Sequence, residues 1–105
     1  MQVKRVLQDE RVRQVPKGFS WVDHRLVREG YVRDCDVESL ALYLFLVSVS
    51  DVDGVSYYSD KSISRLIHIT EDHLRSARET LQRADLVAYD APLYQVLSIP
   101  ERRTA

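Results

Sequence analysis

The chain has 105 residues, 45% of them hydrophobic and 30% charged, the balance of one small globular domain and not of a disordered or fibrous chain. The single cysteine, Cys35, excludes an intrachain disulfide and offers no zinc pattern. The longest apolar run, Leu40 to Val47, is too short to span a bilayer. No basic start leads into an apolar segment, so no signal peptide is expected and a reducing cytoplasm is the expected setting.

The net charge of −1 conceals a segregation. Residues 1–33 carry eight basic and four acidic groups, a net of +4, and residues 34–60 carry six acidic and no basic groups, a net of −6. Residues 61–105 carry seven basic and six acidic groups, a net of +1. A basic arm beside an acidic middle suits a nucleic acid, an acidic partner or a neighbouring copy.

Residues 1–18 alternate charged and apolar positions, close on Pro16 and Gly18, and read as a basic N-terminal arm. The folded domain is expected over 19–100 and a frayed tail over 101–105. Phe19 to Tyr31, with Trp21, Val22, Leu26 and Val27 and a stop at Gly30, predicts a short helix. Asp36 is placed to cap a helix over 37–50 that has almost no polar side. A helix of that kind is wrapped by its neighbours or covered by another subunit. The second option makes Leu42, Tyr43, Phe45 and Leu46 interface residues and the chain a homodimer.

Asp53-Gly54 marks a turn and Val55 to Ser59 a short strand, in which one of Tyr57 and Tyr58 packs and the other faces out. Ser59 or Asp60 caps the next helix, which buries Ile63, Leu66 and Ile67. Thr70 caps the one after, running to about Ala84 with Leu74, Ala77 and Leu81 on its core stripe. Val87 to Tyr89 and Tyr94 to Ile99 then form a hairpin turned by Asp90, Ala91 and Pro92. A mainly α domain with a small β-hairpin, of α+β class, is the expectation. Its order of short helix, tight turn, longer helix and hairpin is that of a winged helix-turn-helix, which presents its second helix to the DNA major groove.

Residues 37–89 resemble the winged-helix domains of plasmid and phage replication initiators and the related DnaD-type helix-turn-helix modules. The resemblance rests on "ESLALYLFLVSVSD", "DGVSYYSDKSISRLIHIT" and "EDHLRSARETLQRADLVAYD", with "LQRADLV" running out of the helix into the wing. It implies a DNA-binding role in regulating transcription or replication of a mobile or plasmid-like element. One departure stands out: relatives place small polar and basic residues at the turn and helix start, where this chain has Thr70, Glu71 and Asp72.

The residues expected to meet double-stranded DNA are Thr70, Arg75, Ser76, Arg78, Gln82 and Arg83. Arginine fits the two major-groove acceptors of guanine, and glutamine pairs with adenine. Against this, Glu71, Arg75, Glu79 and Arg83 stand four apart, a ladder that needs no partner. The alternative is therefore a winged helix serving as a protein-interaction or dimerisation module without DNA contact. The wing tip has no Lys or Arg, so phosphate contacts fall to Lys4, Arg5, Arg11, Arg13 and Lys17 of the arm.

The tyrosines and Trp21 read as core and interface residues, not as a stacking platform for bases. His24, His68, His73 and Cys35 lack ligand spacing, so no metal or other cofactor is expected. With no nucleophile elbow, phosphate-cradling glycine loop or paired carboxylates in an apolar setting, the chain is not expected to be an enzyme.

Overall fold

Helices begin here where a short polar side chain can accept a backbone N–H that has no partner inside the helix. The computed structural model describes residues 4–99. A short α1 (Arg25–Arg28) comes first, with the Asp23 carboxylate accepting Arg25 N at 2.9 Å. Asp36 opens α2 (Val37–Val49) by accepting Ser39 N at 2.8 Å. Ser59, and not Asp60, opens α3 (Asp60–Ile67), and Thr70 opens α4 (Glu71–Arg83), each accepting an N–H at 3.1 Å.

Three strands, β1 (Val55–Tyr57), β2 (Val87–Asp90) and β3 (Leu93–Val96), pair antiparallel in the order β1-β3-β2. The expected hairpin is present, and β1 extends it to a sheet by pairing Ser56 with Tyr94. Together the elements make an α+β arrangement compatible with the winged-helix class.

The core collects Leu42 and Leu46 of α2, Ile63 of α3, Leu74, Ala77 and Leu81 of α4, Leu86, and Tyr94 of β3. This corrects the assignment of Leu42, Tyr43, Phe45 and Leu46 to a subunit interface: all four are buried within the chain. Packing against α3, α4 and β3 covers most of α2 from inside. Its outer side keeps Val37, Leu40 and Leu44 exposed.

Four smaller expectations also change. The Asp23 bond to Arg25 N and the positive φ of Gly30 bracket a first helix of only Arg25–Arg28, and Trp21 and Val22 lie exposed before it. Leu66 is exposed, because the elements packed on α3 meet its Ile63 and Ile67 side. The last strand ends at Val96, after which Leu97 N donates to Leu86 O at 3.0 Å. The first strand ends at Tyr57 and not Ser59; Tyr57 faces out, and Tyr58 just beyond it packs edge-on against Phe45. Pro100 and the tail at 101–105 lie outside the described residues.

Gly54 occupies the one turn where a side chain has no room. Its φ is 82°, and a Cβ there would stand 2.6 Å from Val96 O. Gly54→Ala is therefore expected to cost about 1–3 kcal/mol, seen as a lowered midpoint in thermal denaturation. An unchanged midpoint would show that the α2–β1 turn relaxes freely.

Candidate nucleic-acid interface

The α3–α4 corner is set by local chemistry. His68 takes the left-handed conformation at φ 59°, and the Ser64 hydroxyl donates to Ile69 O, which closes the end of α3 onto the linker. Thr70 then starts α4 only three residues after Ile67. At the far end Asp85, at φ 61°, donates its N–H to Gln82 O, and Leu86 N donates to Leu81 O, turning the chain into β2.

Two faces of α4 result. Leu74, Ala77 and Leu81 enter the core, as their spacing predicts. Arg75, Ser76, Gln82 and Arg83 are exposed, with Thr70 exposed at the cap. The ladder of four-apart charges forms only in part. Arg75 bonds Asp72, not Glu71 or Glu79, while Arg83 reaches Glu79 at 4.0 Å and donates to Thr80 Oγ1 at 3.3 Å.

Arg78 is the main correction. It is only 9% exposed and belongs to the interior, not to the solvent face. Its guanidinium donates to Asp60 Oδ1 and Tyr94 Oη, both at 2.8 Å, and lies 4.2 Å above the centre of the Tyr89 ring. Tyr89 and Tyr94 are register partners across β2 and β3, their rings tilted at 44° with centres 4.5 Å apart. One side chain of α4 thus ties α3 to the wing. Leu74, Ala77, Arg78 and Leu81 are spaced i, i+3, i+4, i+7, so the periodicity did contain the signal.

Burial works against the Arg78 charge, but the bonds to Asp60 and Tyr94 more than offset it and hold the group above its usual range. Burial likewise raises Tyr94 above its ordinary 10.0, the Arg78 bond pulling the other way, and burial raises Tyr43. In both phenols the folded state holds its proton more tightly than the unfolded chain does. Their contribution is complete below about pH 10 and declines as pH rises from there toward the folded pKa. Urea denaturation at neutral and alkaline pH is expected to show stability falling above about pH 10. A flat profile would remove these phenols from the account.

Lys4, Arg5, Arg11, Arg13 and Lys17 are all exposed, and none has an ion pair among the described residues. Among residues 4–18 the one regular element is a 3-10 turn at Asp9–Arg11. Lys61 and Arg65, exposed on α3 and missed in the sequence as candidate contacts, bring two more cations to the helix packed on α4. The turn of the wing, Ala91-Pro92, carries no charge.

Elsewhere, a cleft of about 610 Å³ lies among Phe19, Trp21, Asp23, Tyr43, Val47 and Leu97, and no residue of α4 lines it. Among the described residues no group of three or more His, Cys, Asp and Glu side chains is placed to hold a metal ion. No described helix is long and apolar enough to cross a membrane. No protein-family model matches the chain, and the comparisons with curated proteins and with solved structures found no match.

Proposed function

We propose that this chain is a winged-helix protein that binds double-stranded DNA by laying α4 in the major groove. One observation carries the reading: packing occupies the Leu74–Ala77–Arg78–Leu81 side of α4 and leaves Arg75, Ser76, Gln82 and Arg83 outward. These side chains suit guanine, adenine and phosphate acceptors. Lys61 and Arg65 on α3 add charge for the phosphates.

The acidic start of α4 is tolerable on magnitudes. An exposed pair such as Arg75–Asp72 contributes about 0–1 kcal/mol. Releasing Arg75 from Asp72 to meet DNA therefore costs little. The setting, transcription or replication of a mobile or plasmid-like element, rests on the resemblance of residues 37–89 alone. A protein-interaction module is the second reading, favoured by the absence of any basic residue from 34 to 60.

Salt separates the two. If Arg75, Arg83, Lys61 and Arg65 each neutralise one phosphate, affinity for a random duplex falls about a hundredfold between roughly 50 and 200 mM salt. Fluorescence anisotropy at the two concentrations measures this. A change below about twofold would mean that fewer than one phosphate is engaged, and would favour the interaction module.

A further inference from the structure

Two of the apolar surfaces exposed among the described residues carry opposite charges. On α2, Val37, Leu40 and Leu44 are exposed at spacings of three and four, with Ala41 and Ser48 on the same narrow stripe. The stripe runs between Asp34 at one end and Asp51 and Asp53 at the other, and none of these three has an ion pair among the described residues. In the arm, Val6, Leu7, Val12 and Val15 are exposed among five cations, Lys4, Arg5, Arg11, Arg13 and Lys17, and two acids, Asp9 and Glu10, a net of +3.

We infer that the arm of one copy lies along the outer stripe of α2 in a second copy, reciprocally, so that two chains form a two-fold dimer. The arm's valines and leucine cover Val37, Leu40 and Leu44, and its cations meet Asp34 and Asp53. A contact of this kind is self-complementary and closes at two chains. The dimensions agree. Stretched out, residues 4–18 reach up to roughly 50 Å, and α2 is roughly 20 Å long. A stripe of that length takes about six extended residues, which leaves the rest of the arm to cross from one copy to the other. An α2-to-α2 contact without the arms would set acid against acid at both ends of the stripe.

The arm is thereby assigned to the partner subunit in place of DNA phosphates. Sedimentation equilibrium without DNA tests this independently of DNA binding. The full chain at about 50 micromolar, a concentration that populates dimers of moderate affinity, is expected to sediment as a dimer. Removal of residues 1–17, or Leu44→Glu, is expected to give folded monomers by circular dichroism.

Charge reversal supplies the sharper arm. Arg11→Glu with Arg13→Glu in one variant, and Asp34→Lys with Asp53→Lys in another, should each yield monomers alone and a one-to-one heterodimer when mixed. A full chain that sediments as a monomer would overturn the proposal, as would the arm docked on its own α2. A dimer that survives loss of the arm would do the same. If arm removal leaves the sedimentation unchanged and flattens the salt dependence of DNA binding, the arm serves phosphates and the proposal fails.

Discussion

Arg78→Ala is expected to lower the stability of the folded chain by about 3 kcal/mol. The substitution removes a charge shared by Asp60, Tyr94 and the face of Tyr89. It leaves Asp60 without its cation and Tyr94 Oη without its donor in the interior. The Asp60 side chain keeps 24% of its exposure, which places the loss toward the lower end of what breaking a buried pair costs. For a domain of this size, about 3 kcal/mol corresponds to a fall in Tm of more than 10 °C. Arg78→Lys should recover little of it, since an ammonium cannot bond Asp60 in a fork and stack on Tyr89 at once. Thermal denaturation followed by circular dichroism reads both variants. A midpoint within a degree or two of the parent would show that the network contributes nothing.

Leu46→Ala is expected to cost about 2–5 kcal/mol, because Leu46 has no exposure and is surrounded by the core. Two positions away on the same helix, Leu44 is 64% exposed, and Leu44→Glu should change the stability of the isolated subunit by no more than about 0.5 kcal/mol. The pair separates an interior side of α2 from an exposed one. Denaturant unfolding at dilution, where subunit association does not contribute, measures both. Equal losses would mean that the two sides are not distinguished as the packing requires.

The same helix marks what a sequence can disclose. Leu42, Tyr43, Phe45 and Leu46 announce burial by composition alone, but not whether the covering surface comes from the same chain. That depends on α3, α4 and β3 arriving from elsewhere in the sequence. The caps at Asp36, Ser59 and Thr70 were legible because each acts on an N–H three residues away. So was the stripe of Leu74, Ala77 and Leu81.

Arg78 shares that stripe, yet an arginine reads as a surface residue until its acid is known. Asp60 is 18 residues away and Tyr94 is 16, one before and one after α4. No spacing rule joins them. Of the expected DNA contacts on and beside α4, Thr70, Arg75, Ser76, Gln82 and Arg83 remain outward, and Arg78 leaves the set. The start of the first helix was misplaced for a related reason: Trp21 and Val22 look like core residues, while the Asp23 carboxylate bonds Arg25 N and the helix runs only over Arg25–Arg28 beyond them.

The central claim is that the outward side of α4 meets DNA, and the double variant Arg75→Ala, Arg83→Ala addresses it most directly. Neither side chain touches the core, so circular dichroism and thermal midpoint should stay close to the parent. Anisotropy titration against a duplex of random sequence should then show affinity reduced by about tenfold or more. The salt slope should become shallower by about one unit for each arginine that met a phosphate. Unchanged affinity and an unchanged slope in a properly folded double variant would contradict the claim.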